Sequence, residues 1–184
     1  NQQTENMGEI VRTAPRSEYA ESYNELRTTL LLSAAEAPPK RILISSSIAG
    51  EGKTTTAVNL AMTMAKAGSR VVLLDADLRK PSVHKVFKLR NKSGLSSYLA
   101  GAAGKSILSK SSHHNLVVVP AGPIPPNPYE LLNSTRMSTL LQSLEQEFDF
   151  IICDSPPILS VADSRVLSQV FDGLILVTRA GKTT

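Results

Sequence analysis

The chain has 184 residues, 41% hydrophobic and 20% charged, with a net charge of +4; this suits one domain that buries roughly 70% of its unfolded surface. An aromatic content of 4% and modest basicity argue against nucleic-acid binding, and no apolar run nears the ~18 residues that cross a bilayer. The single cysteine, Cys153, rules out an intrachain disulfide and suits a reducing compartment, so the expected location is the cytoplasm.

Residues 1–16 are polar and without period, as an arm or linker would be. From Ser17 the pattern turns helical: Tyr19, Tyr23, Leu26 and Leu30 fall on one stripe, Ser17 can cap the start, and Pro38-Pro39 closes the segment. This helix at 17–34 is expected to lie outside the main unit, with Glu21, Asn24 and Arg27 along another stripe. Lys40-Arg41 then opens a strand, Ile42-Leu43-Ile44, which runs into Ser45-Ser46-Ser47-Ile48-Ala49-Gly50-Glu51-Gly52-Lys53-Thr54-Thr55. A helical pattern follows, with Val58, Leu60, Ala61, Met64 and Ala65 apolar.

Strand, glycine-rich turn and helix form the context of a phosphate-binding loop. Gly50 and Gly52 let backbone amides turn inward, Lys53 brings a point charge, and Thr54 offers a hydroxyl to magnesium at a helix start. The usual pattern is G-x-x-x-x-G-K-[ST], and Ser47 stands at its first glycine. Residues 49–55 are the expected nucleotide contacts.

Gly68 reads as a helix C-cap. The apolar run Arg70-Val71-Val72-Leu73-Leu74 follows, a strand buried on both faces and therefore parallel. It ends in Asp75-Ala76-Asp77-Leu78-Arg79, on the side where open α/β sheets place ligands. Asp75 and Asp77 can serve there as metal ligands or a base, or can simply cap a loop. Residues 79–92 are rich in Lys and Arg, read first as solvated surface and otherwise as an attraction for phosphates or an acidic partner tail. His84 has no neighbours at metal-ligand spacing.

Leu116–Val119 is a third strand, and Asn127, Pro128 and Glu130 have the spacing of a capping box. Ser134 can cap a helix carrying Met137, Leu140, Leu141 and Leu144. Phe148 through Asp154 is a fourth strand, and its terminal aspartate fits a magnesium-holding Walker B element. Ser160 and Asp163 read as a further, structural capping box, and Leu174–Val177 as a fifth strand. The closing Gly181-Lys182-Thr183-Thr184 repeats the letters of the phosphate loop without its context. Five strands alternating with helices predict an α/β, three-layer P-loop NTPase with a mostly parallel central sheet covered on both faces.

Together the 45–55 loop, the Asp75-x-Asp77-x-Arg79 element and the Asp154 strand resemble the bacterial tyrosine kinases, the cytoplasmic domains of capsule and exopolysaccharide export systems. Leu78-Arg79-Lys80-Pro81 and Asn127 through Ser134 are similar too, and the resemblance spans about residues 17–184. It implies that Lys53 grips the β- and γ-phosphates of ATP and that Thr54 and Asp154 hold Mg²⁺. Asp75 and Asp77 would be metal ligand and base in an order left open. It also implies a membrane adaptor or chain-length determinant as partner, a tyrosine-containing protein substrate, and a place at the inner face of the membrane. Homo-oligomers through Glu21 and Arg27 follow from the same likeness, although Asn24 stands where the family's E-x-x-R-x-x-R motif has arginine. Family domains continue past the fifth strand and usually end in a tyrosine cluster, which implies truncation after Thr184.

Two other readings compete. One is a nucleotide-binding regulatory module without kinase activity. The other is a partition- or septum-type ATPase switch, which would need a lysine where Ile48 stands.

Overall fold

The structure is a computed structural model that describes residues 10–34 and 36–181. Its centre is a sheet of order β3-β4-β2-β5-β1-β6. The strands are β1 (Arg41–Ser46), β2 (Val71–Asp75), β3 (Ser109–Lys110), β4 (Leu116–Val119), β5 (Phe150–Asp154) and β6 (Gly173–Val177). The pairs β1–β5, β1–β6, β2–β4 and β2–β5 are parallel. The short β3 was not expected from sequence; it runs antiparallel to β4 at the sheet edge. Its two residues are too few to show a period.

Alternate side chains of the central strands enter opposite faces. On one face Leu43, Val72, Leu74, Ile151 and Cys153 pack with Met137, Leu140, Leu141 and Leu144. The last four belong to the helix Thr135–Glu147. On the other face Ile42, Ile44, Val71, Leu73 and Ile152 meet the helix that leaves the phosphate loop. The result is three layers, helix on sheet on helix.

Helices are numbered along the chain: α1 (Ile10–Thr13), α2 (Glu18–Leu31) and α3 (Lys53–Lys66). Ser17 caps α2, its hydroxyl accepting from the Ala20 amide. Gly68, at φ +100°, closes α3 with the Ser69 amide donating to Met64 O. Two expectations change here. First, α2 does not lie outside the unit: Ala20 is buried, and Tyr23, Leu26 and Leu30 pack against the α3 side of the core. Second, residues 10–13 of the expected arm form a helical turn, with Val11 buried against that core and its amide donating to Asn59 Oδ1. Residues 1–9 and the Lys182-Thr183-Thr184 repeat lie outside the described residues.

The capping box expected at 127–130 also forms differently. The helix begins at Pro128 as its spacing predicts, but Asn127 makes no cap bond to the backbone; its Nδ2 donates to Glu130 Oε2 at 3.3 Å.

Candidate active site

The phosphate loop leaves β1 between buried Ser45 and Ser46 and the first turn of α3. Gly50 and Gly52 sit at φ +84° and +98°, a region costly for residues with a Cβ. Gly52 is the N-cap of α3 and supplies no side-chain bond, so the first-turn amides are left for an anion, where the helix dipole favours negative charge. Glu51 turns the other way. One carboxylate oxygen accepts from the Ile48 amide and the other from the Arg179 amide, pinning the loop to the chain after β6.

A cavity of about 550 Å³ opens over this loop. Ala49, Gly50, Gly52, Lys53, Thr54 and Thr55 line it, together with Asp77, Arg79, Lys80, Ser82 and the apolar Pro156, Pro157 and Val161. Glu51 does not.

The carboxylates converge as their strand ends predict. β2 and β5 are neighbours, and their register sets Asp75 beside Asp154. Both are fully buried. Thr54 donates its hydroxyl to Asp154 Oδ2 at 2.5 Å and lies 3.0 Å from the Ser82 hydroxyl. Lys53 Nζ reaches Asp77 Oδ2 at 2.9 Å and Asp154 Oδ1 at 3.3 Å. Asp77 Oδ1 accepts from the Lys80 amide, while Asp75 Oδ2 accepts from the amides of Ser82 and Val83. Asp75 Oδ1 is buried with no hydrogen-bond partner.

Three carboxylates thus gather near one ammonium, and two of them, Asp77 and Asp154, touch it. Burial, then the neighbouring Asp154 charge, pushes Asp75 up to about 7, against the pull of the Val83 and Ser82 amides and of Lys53. Burial likewise raises Asp154, although Lys53 and Thr54 favour its anion. Burial works against the Lys53 charge, but Asp154 and Asp77 outweigh it and hold the lysine above its ordinary range.

Two groups at this rim were not visible in the sequence. Ser82 links Asp75 to Thr54: its amide donates to Asp75 and its hydroxyl meets the Thr54 hydroxyl. Asp163, read as half of a capping box, instead grips Arg79 by two bonds of 2.8 and 3.1 Å. Its helix, Asp163–Leu167, takes Ala162 as N-cap with no side-chain bond. The partners are 84 residues apart, so no local spacing could announce them.

The AAA domain family profile matches residues 39–181. The tyrosine-protein kinase YwqD of Bacillus subtilis is 43% identical over 175 residues, covering 95% of this chain and 74% of that protein. The chain belongs to the bacterial tyrosine-protein kinases. These relatives are tyrosine-protein kinases by name, and that family placement supports the kinase reading over a passive module or a partition-type switch. A second relative of this kinase, CpsD of Streptococcus pneumoniae serotype 4, is 41% identical over 88% of this chain and 71% of its own length. The kinase domain of Escherichia coli tyrosine kinase ETK superposes with a TM-score of 0.92 at 32% identity, over 95% of this chain and 69% of that one. A P-loop kinase of this fold binds nucleotide. No helix among the described residues is long and apolar enough to cross a membrane.

Proposed function

We propose that the cavity over the Gly50–Thr55 loop binds ATP with Mg²⁺ and passes the γ-phosphoryl group to a tyrosine hydroxyl. The observation that carries this reading is the meeting of Lys53, Thr54, Asp77 and Asp154 within hydrogen-bond reach at the mouth of α3. Lys53 is held by two carboxylates, Asp77 and Asp154. Its Nζ is therefore placed beside the loop and can turn to the β- and γ-phosphates. The donor set suits a hard divalent cation: a hydroxyl, carboxylates, and a buried oxygen of Asp75 that has no protein partner. Thr54 and Asp154 would hold the ion, with Asp75 or Asp77 as a further ligand. Bound there, it would neutralise charge building on the phosphate oxygens.

A tyrosine hydroxyl has an ordinary pKa of about 10, so it reacts better as its proton leaves. Whichever of Asp75 and Asp77 is not engaged with the ion accepts that proton. The phenolic oxygen then forms its bond to the γ-phosphorus as the bond to ADP breaks. Asp77 lines the cavity, whereas Asp75 is buried between β5 and the Ser82 turn.

One relative, from Klebsiella pneumoniae, is named a putative tyrosine-protein kinase in the cps region. We extend that setting to this chain: a kinase at the inner face of the membrane that regulates capsule or exopolysaccharide polymerisation and export. Its partner would be a membrane adaptor or chain-length determinant domain. Assembly between copies would use Glu21 and Arg27, respectively exposed and half-buried on α2. The test incubates full-length protein with ATP, Mg²⁺ and adaptor and blots for phosphotyrosine. A signal absent from Lys53→Met is expected; equal signals, or none in either protein, would sink the proposal.

A further inference from the structure

The segment from Arg79 to Lys92 leaves the rim of the active site and carries Arg79, Lys80, Lys85, Lys88, Arg90 and Lys92, with no acidic residue between them. All of these basic side chains are exposed. Among the described residues, Arg79 alone of the set enters an ion pair. Like charges this dense repel one another, and nothing in the fold requires them.

The segment is nevertheless firmly held. Its near end is fixed by the paired bonds between Arg79 and Asp163. At its far end the Asn91 amide group both donates to Gly122 O and accepts from Gly122 N, at 2.8 Å each. Next to it, Gly94 packs so close to Pro120 O that a Cβ would stand 2.1 Å away. In between, Val83 is buried, and Val86, Phe87 and Leu89 pack on the core. Lys88, at φ +54°, turns the chain so that the apolar groups face inward on either side of it. The charges stand on a rigid platform.

We propose that this strip docks the acceptor polypeptide and selects tyrosines flanked by acidic residues. The inference rests on the kinase reading above. Arg79 and Lys80 line the active-site cavity, so the strip begins where the acceptor must enter. Across from them, Pro156, Pro157 and Val161 offer an apolar wall to a phenol ring. Residues next to a tyrosine seated there lie against the strip, and carboxylates on them meet unpaired cations. A nucleic-acid surface would need exposed aromatics for stacking, and Phe87, the one aromatic ring of Phe, Tyr or Trp in the strip, packs half-buried against the core. A membrane surface would need apolar wedges beside the charges; none of the large exposed hydrophobic side chains falls within 79–92.

The test uses full-length kinase with ATP and Mg²⁺ and two peptides, a tyrosine flanked by glutamates and the same tyrosine flanked by glutamines. The variant combines Lys85→Gln, Lys88→Gln, Arg90→Gln and Lys92→Gln, all away from the cavity lining. Wild type should favour the acidic peptide by about tenfold in kcat/KM, through KM, with the preference fading in high salt. The variant should lose the preference and keep its rate on the glutamine peptide. Equal use of both peptides by wild type, or a preference surviving in the variant, overturns the docking role. If wild type phosphorylates neither peptide, the kinase reading fails on its own, and fluorescence anisotropy decides the strip. A glutamate-flanked peptide with phenylalanine for tyrosine should then bind the variant about tenfold more weakly; equal binding overturns the proposal. Loss of binding to phosphatidylserine vesicles in the variant, with equal use of the peptides by wild type, assigns the strip to a membrane surface and also overturns it.

Discussion

Charged side chains gather at both rims of the central sheet, on opposite terms. At the rim where the parallel strands begin, Arg70 meets Asp149 at 2.7 Å and Arg41 grips Glu145 at 2.7 and 2.6 Å. Asp172 there accepts from the amides of Lys40 and Arg41. These pairs are part-exposed and one to one. At the rim where the strands end, Asp75, Asp77 and Asp154 are buried around Lys53, with Asp75 raised to about 7. One rim staples strand ends together at little cost. The other holds more negative charge than the protein itself neutralises, a cost to stability that a cation and a nucleotide would offset.

The sharpest way to break this contrast is at Lys53. Lys53→Met should lower phosphotyrosine formation by about 10³-fold or more, since a preorganised charge at the transferring group is lost; radiolabelled ATP measures it. Retention of most activity would remove the functional half of the comparison.

Next comes the cost itself. Because Asp75 binds its proton more tightly folded than unfolded, the native state carries the extra proton between pH ~4 and about 7. Its contribution to stability is therefore complete at low pH and is lost as pH rises through about 7. Asp75→Asn removes that loss. In metal-free protein its advantage over wild type should grow from near zero at pH 4 to on the order of 1–3 kcal/mol at pH 8. Urea unfolding at the two pH values checks this, and a gap independent of pH would contradict it. Activity should vanish in the same variant.

A smaller effect is expected at the edge of the cavity. Asp163→Asn weakens the hold on Arg79, a positioning role, and should cost on the order of tenfold in kcat/KM while leaving ATP affinity near wild type. An unchanged kcat/KM would make the pair purely structural. Smallest of all, Arg70→Ala at the opposite rim should leave activity and melting temperature indistinguishable from wild type. That pair is solvent-screened, and such pairs contribute little.

Much of the site was legible in the sequence because the phosphate loop is a local device. Residues 50–54 carry out their task within one turn, and their spacing alone implies the geometry. The strand ends at Asp75 and Asp154 were legible one by one, as apolar runs closed by a carboxylate. Ser82 was not, because a serine after proline in a basic loop looks like any turn. Asp163 was misread because a capping box is a local explanation that was already sufficient. The packing of α2 on α3 escaped for a related reason: with Tyr19 exposed and Tyr23, Leu26 and Leu30 only half-buried, its stripe is weak and names no partner.

Sequence by itself determined the order of the five longer strands, the phosphate loop, and the carboxylates available at the strand ends. These depend on short-range sterics and on apolar periods of two and 3.6 residues. Only the tertiary structure decided that β5 would lie between β1 and β2, and with it that Asp154 would stand beside Asp75 and under Thr54. Strand order is chosen by how helices cover both faces of the sheet at once, a condition on the whole chain that no window of residues contains.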